Sequence, residues 1–228
     1  MRKIEAIIFD KDGTLFDFAA TWGAWAESVL DHIGMVVPGA EEAVGRAIGF
    51  DRTLGVFSPD SVVIAGTAAD VEAAAGPVLP QGFNLISVLD RLAQEIKPAP
   101  VPGLIRALET LGQGRILGVV TNDSEAPARA HLATMSITHH FDFIAGYDSG
   151  FGAKPAPGQL LGFCKATGAQ AQATAMVGDS RHDLEAGRAA GMVTIGVLTG
   201  LASRADLSDL ADVVLEDISE IDAWLSPG

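Results

Sequence analysis

IEAIIFDKDGTLFD, residues 4–17, is an apolar run that ends in two carboxylates, Asp10 and Asp12, followed by Gly13 and Thr14. Five or six apolar residues closed by turn chemistry read as a buried parallel strand. An acid, a spacer, an acid and a glycine then stand at the carboxyl edge of that strand. Open α/β sheets bind their ligands at this edge. Two like charges held so close repel unless a cation or a proton lies between them. The run therefore points to a metal and to an acid with nucleophilic work.

Further along, short Val/Ile-rich runs repeat the pattern: RILGVVTND (115–123), FDFIAGYDSG (141–150), ATAMVGDSRHD (173–183), MVTIGVLTG (192–200) and ADVVLED (211–217). Helical patterns fall between them, among them VPGLIRALETLG, SEAPARAHLATMS, PGQLLGFCKATG and RHDLEAGRAAG, and SEIDAWL follows the last. Gly112, Gly168 and Gly191 stand where helices should stop. Strand and helix in alternation predict a doubly wound parallel sheet with right-handed crossovers. Residues 18–97 break the rhythm. They hold amphipathic helical patterns and no convincing parallel strand, and RTLGVFSPDSVVIAGT (52–67) fits no period. The expected division is an α/β core from residues 1–17 and 98–228, with an inserted helical cap from residues 18–97. KPAPVPG (97–103), with three prolines, marks the return to the sheet.

The bulk numbers bound the partners. The chain has 228 residues, 48% of them hydrophobic, enough for one good core and a small second unit. A net charge of -14 argues against a nucleic-acid or anionic-membrane partner, which needs clustered cations. A small phosphorylated metabolite remains compatible, because a few local cations govern a pocket. The one cysteine, Cys164, allows no internal disulfide and no cysteine metal cluster. Ile4–Phe9 is too short to span a bilayer and has no cleavage site after it, so a cytoplasmic protein is expected. Either a monomer or a homodimer fits these numbers.

Four segments carry the candidate chemistry: Asp10-x-Asp12-Gly-Thr14, Thr121-Asn122, Lys154-Pro155, and Gly178-Asp179-Ser180 with Asp183. Any one of them is a common turn or cap. Jointly, at the edge of one sheet, they offer acids for a hard cation, most plausibly Mg2+, hydroxyl and amide donors, and one lysine. That set suits phosphoryl transfer. A carboxylate attacks phosphorus, a second acid handles the protons, and Lys154 neutralises the group in transit. The five histidines lack metal-ligand spacing, and GFGAKPAPG matches neither a dinucleotide fingerprint nor a P-loop.

The four segments resemble, in order and rough spacing, the motifs of the haloacid dehalogenase superfamily. FDKDGTL, KPAPGQL and VGDSRHDLEAGRAAG look most like its phosphoglycolate phosphatase-like branch. That resemblance implies an Mg2+-dependent phosphatase acting on a small phosphomonoester, phosphoglycolate-like or a sugar phosphate. Asp10 would be the nucleophile. Asp12 would be the general acid/base, with its backbone carbonyl on the metal. Thr121, Asn122 and Lys154 would bind phosphate, Asp179 would ligate the metal with Asp10, and Asp183 would ligate it or orient its waters. Gly13 would allow close backbone approach, and Thr14 would brace the loop. Asp12 favours an oxygen leaving group that needs a proton over carbon–halogen or phosphonate chemistry. A sugar-phosphate mutase shares the motifs. A non-catalytic phospho-aspartate signalling module shares the residue types, but would lack the helical insert. Substrate choice should come from that insert, where Asp17, Trp22, Arg52 and Ser61 are candidates to reach the leaving group.

Overall fold

The structure, a computed structural model, describes residues 3–226. Strand β1 (Ala6–Phe9) leads into a helical block of α1 (Phe18–Val36), α2 (Glu41–Ala47), the hairpin strands β2 (Phe50–Asp51) and β3 (Val56–Phe57), α3 (Val62–Ala65), α4 (Ala68–Ala75) and α5 (Leu85–Glu95). The chain then alternates: α6 (Leu104–Leu111), β4 (Ile116–Val120), α7 (Glu125–Thr134), β5 (Phe143–Ala145), α8 (Gly158–Thr167), β6 (Thr174–Gly178), α9 (Arg181–Ala190), β7 (Val193–Val197), α10 (Arg204–Leu207), β8 (Val213–Leu215) and α11 (Ile221–Leu225).

Six strands form one parallel sheet in the order β5-β4-β1-β6-β7-β8. The first strand is central, with Ala6 opposite Ile116 on one side and Thr174 on the other. Its side chains alternate between the faces, as the pleat requires. Ile7 and Phe9 join Leu108, Val119, Val177 and Ile195 on one face, while Ala6 and Ile8 join Leu160, Phe163 and Met176 on the other. Both faces are covered, which is why these runs read as continuously apolar. The order reverses at β1, so the crevice for a ligand lies above the carboxyl ends of β1, β4 and β6.

The helical block packs around an apolar cluster of its own. Its centre is α1, whose buried face includes Trp22, Trp25, Val29, Leu30 and Ile33. Trp25 stands edge-on to Trp22 at 5.0 Å, and its Nε1–H donates to the Leu89 carbonyl of α5 at 3.2 Å. The chain enters and leaves the block side by side. Asp17 N donates to Ala99 O at 2.8 Å, and Val101 N to Leu15 O at 3.0 Å. RTLGVFSPDSVVIAGT resolves into the β2–β3 hairpin, a turn and the single-turn helix α3. Two-residue strands and a four-residue helix are too short to impose a period. No described helix is long and apolar enough to cross a membrane.

Candidate active site

At the carboxyl end of β1 the chain turns through Asp10-Lys11-Asp12-Gly13. Asp10 is held by its own N–H, which donates to Val177 O of β6 at 2.9 Å. Its carboxylate Oδ1 accepts from Lys154 Nζ at 2.5 Å. The same ammonium donates to Asp183 Oδ1 at 2.6 Å and to the Val120 carbonyl at 3.3 Å. Asp183 is the third residue of α9. Its Oδ2 accepts from the N–H and hydroxyl of Ser180 at 3.1 and 2.6 Å, a capping box that fixes the carboxylate's direction.

Asp179 completes the cluster. Oxygens of Asp10, Asp179 and Asp183 all lie within 4.8 Å of one another. The Asp179 carboxylate fits between two glycines. A Cβ on Gly13 or on Gly200 would collide with it, and Gly13 has φ +78°, a left-handed conformation that suits glycine. Thr14 Oγ1 donates to Asp179 Oδ1 at 3.4 Å, and Thr199 Oγ1 braces the Gly13 carbonyl at 2.6 Å.

The electrostatics follow from burial. Removal from water raises the Asp10 pKa to about 7; the ammonium of Lys154 opposes the rise, and the charges of Asp183 and Asp12 add to it. Burial likewise lifts Asp179 well above the usual carboxylate range, with Asp183 and Asp10 adding to it. Burial alone would lower Lys154, but the adjacent Asp10 and Asp183 charges outweigh it and raise the pKa. Three carboxyl groups, those of Asp10 and Asp183 buried and that of Asp179 half-buried, stand against one ammonium, so the cluster is in excess of negative charge once ionised. An all-oxygen donor set of this kind, with a glycine-walled cradle around Asp179, fits a hard divalent cation such as Mg2+.

Asp12 faces the same crevice but stands apart from that cluster. Its Oδ2 lies 3.3 Å from Lys11 Nζ, while Oδ1 is buried with no partner. Lys11 is a residue that sequence reasoning passed over. It is wholly buried, donates to Asp123 Oδ2, lies 3.2 Å from His131 Nδ1, and stands 5.3 Å over the Trp22 ring. Its charge is kept by Asp12 and Asp123, which outweigh the lowering effect of burial. Facing an ammonium, His131 Nδ1 must accept, so Nε2 carries the proton and donates to Ala93 O of α5 at 2.7 Å. Burial, then the neighbouring Lys11 charge, lower the His131 pKa to about 4. The one sequence signal was position: Lys11 lies between two acids facing one way, so by alternation it points into the protein and needs partners.

Thr121 and Asn122 follow β4. Thr121 is buried, and its Oγ1 accepts from Asp123 N at 3.0 Å. The Asn122 amide is committed to backbone. Its Nδ2 donates to Ala65 O and Lys154 O, both at 2.9 Å, and its Oδ1 accepts from Lys154 N at 2.8 Å. It ties the Lys154 loop to α3. Its side chain is therefore a brace for that loop.

The carboxyl edge and the helical block enclose a cleft of about 710 Å3, its mouth included. Asp10, Asp12, Thr121, Asn122, Lys154, Asp179 and Asp183 all line it. From the helical block Trp22 does so, and Asp90, absent from the sequence reading, joins it. Two expectations are corrected by position. Asp17 does not line the cleft; it is the N-cap of α1, its Oδ1 accepting from Ala20 N at 2.8 Å. Arg52 lies on the outer face of the block, held by Glu27 at 2.8 Å and by Asp31. Exposed acids nearby on α1 satisfied it locally. Ser61 caps α3 and donates to Ile48 O at 2.6 Å, outside the main cleft.

Comparison with known proteins agrees with this geometry. A family profile described as haloacid dehalogenase-like hydrolase matches residues 7–197. A phosphoglycolate phosphatase of Chromobacterium violaceum is 32% identical, over 97% of this chain and 96% of its own. The probable phosphatase IndB of Dickeya dadantii is 30% identical, over 94% and 90%. The solved structure of a predicted phosphoglycolate phosphatase from Haemophilus somnus superposes with a TM-score of 0.74 at 21% identity, covering 99% of this chain and all of that one. With the parallel sheet, the acid-and-lysine cluster and a match across most of its length, the chain belongs to the haloacid dehalogenase-like hydrolases, on their phosphoglycolate phosphatase-like branch.

Proposed function

We propose that this hydrolase is an Mg2+-dependent phosphatase that cleaves a small organic phosphomonoester through an aspartyl-phosphate. The observation that carries the reading is Lys154, whose ammonium bridges Asp10 at 2.5 Å and Asp183 at 2.6 Å in a cleft that Asp12 also lines, with one of its oxygens buried and unpartnered among the described residues. Asp10, Asp179 and Asp183, with the Asp12 backbone carbonyl, would hold Mg2+, which when bound neutralises charge between an anionic attacker and an anionic substrate. An Asp10 carboxylate oxygen forms the bond to phosphorus as the bond to the leaving oxygen breaks. Asp12, protonated, gives its proton to the departing alkoxide. As a carboxylate it then takes a proton from the water that attacks the phosphorus, which frees Asp10 and releases phosphate. Lys154 and the Thr121 hydroxyl cradle the phosphoryl oxygens, and Asn122 keeps the Lys154 loop in place.

Residues 18–97 would act as a cap domain, excluding bulk water from the acyl phosphate and presenting the leaving group to Asp12. That the Chromobacterium relative bears the name phosphoglycolate phosphatase supports a small phosphate ester as substrate. Asp10→Asn should abolish Mg2+-dependent release of p-nitrophenol from p-nitrophenyl phosphate while the circular dichroism spectrum stays native. Turnover retained in that variant would defeat the assignment.

A further inference from the structure

We propose that the alcohol released by this enzyme is uncharged and mainly apolar, with one neutral acceptor oxygen, and is not a carboxylate such as glycolate. The inference rests on the phosphatase reading and concerns the half of the cleft away from the phosphate. There the walls are Phe18, Trp22, Trp25, Ile64, Val71 and Leu89. Of the described residues that line the cleft, only Lys154 and His182 are basic. Lys154 is held at the phosphate end by Asp10 and Asp183. His182, the second residue of α9, also borders a neighbouring depression between α3, the start of α4 and the Lys154 loop, and its Nδ1 is buried with no partner among the described residues, so it offers a neutral-capable ring nitrogen and not a fixed charge. Neither Lys11, sealed beneath the cleft, nor Arg52, on the outer face of the block, lines the site.

Acids, by contrast, are plentiful. Asp90 and Asp123 line the cleft beside the helical block, and Asp90 Oδ1 accepts from Ser124 Oγ at 2.8 Å. A leaving-group carboxylate would lose its water among apolar walls, meet the Asp90 charge and find no lysine or arginine beyond Lys154. A cationic alcohol is opposed by a different observation. Trp22 is 8% exposed, and its Nε1–H has no acceptor among the described residues. Buried indole N–H groups generally have partners, and this one can only donate. One face of the same ring already has the Lys11 ammonium over it at 5.3 Å. What complements these surfaces is an apolar body with a neutral oxygen for the indole.

The test compares kcat/KM for four unactivated esters with the whole protein and Mg2+: 2-phenoxyethyl phosphate, its carbon isostere 3-phenylpropyl phosphate, 2-phosphoglycolate and phosphocholine. The phenoxyethyl ester should exceed 2-phosphoglycolate and phosphocholine at least tenfold, and should exceed the phenylpropyl ester about fivefold, the size of one net hydrogen bond. Trp22→Phe should erase that last preference, a ratio within one enzyme that is independent of the folded fraction. Ala68→Arg, which adds a cation to the cleft wall at the start of α4, should shift preference toward 2-phosphoglycolate. Faster hydrolysis of 2-phosphoglycolate or phosphocholine by the unaltered enzyme overturns the proposal and leaves the phosphatase reading standing. A phenoxyethyl preference that survives Trp22→Phe overturns the role of the indole. No turnover of any ester, p-nitrophenyl phosphate included, overturns the phosphatase reading and this inference with it.

Discussion

Replacing Lys11 by methionine keeps most of the side-chain volume and deletes one fully buried charge. Its ammonium is fully enclosed, bonded to Asp123, 3.3 Å from Asp12 and 3.2 Å from His131. Both carboxylates are themselves largely covered, with side-chain exposures of 9% and 13%. Removing one member of a buried ion pair strands the other, at a loss of about 3–5 kcal/mol. For a chain of this size each kcal/mol moves the melting point by roughly 2–4 °C, so Tm should fall by about 6–20 °C. Differential scanning calorimetry reads this directly, and urea unfolding should show a lower midpoint with an unchanged m-value. The double variant Lys11→Met/Asp123→Leu should recover part of the loss, since it leaves one fewer orphaned charge. A Tm lowered by less than about 3 °C, or a double variant less stable than the sum of its parts, would refute the account of Lys11 as a charge held by its acids.

Asp12→Ala should slow hydrolysis of an alkyl phosphate far more than that of p-nitrophenyl phosphate, whose leaving group needs little protonation; equal losses would remove Asp12 from proton transfer. His131, neutral when folded with a pKa near 4, is protonated first in the unfolded chain, from about pH 6.5 downward. Stability should therefore fall between pH 6.5 and 4 by about 3 kcal/mol on this account, and His131→Gln should flatten that slope in urea titrations; an identical slope in the variant would count against it. With Asp10 raised to about 7 and Asp179 raised as well, the metal-free cluster carries protons near neutrality. Binding of Mg2+ should displace them, so calorimetric heats near pH 7 should depend on the buffer's ionisation enthalpy, and affinity should weaken as pH falls below 7. Buffer-independent heats would show that no proton leaves.

The sheet was readable because its central strands β1 and β6 are buried on both faces and so are written as largely apolar runs ending in Gly or Asp, as in AIIF before Asp10 and TAMVG before Asp179. The meeting of the four segments at one cleft was readable because acids and a lysine at the carboxyl ends of strands in one parallel sheet share one edge. Lys11 was not, since its partners lie at positions 12, 123 and 131, and only the folded chain brings them together. Arg52 and Asp17 misled for the opposite reason. Each has a local use, a surface ion pair and a helix cap, that composition alone does not distinguish from recognition. The hairpin at Phe50–Phe57 left no period to read, being two residues to a strand. Asn122 showed its residue type but not its orientation, which is fixed by carbonyls at positions 65 and 154.

The glycine-walled seat of Asp179 joins the two ends of the chain's sequence. Gly13 comes from the first loop and Gly200 from the loop after β7, and Thr199 reaches back 186 residues to the Gly13 carbonyl. During synthesis, then, Asp10 emerges long before the floor beneath its partner acid. A nascent chain halted anywhere before residue 199 holds Asp10 without this enclosure, so activity should arrive abruptly with the final strands and not build up gradually along the ribosome's path.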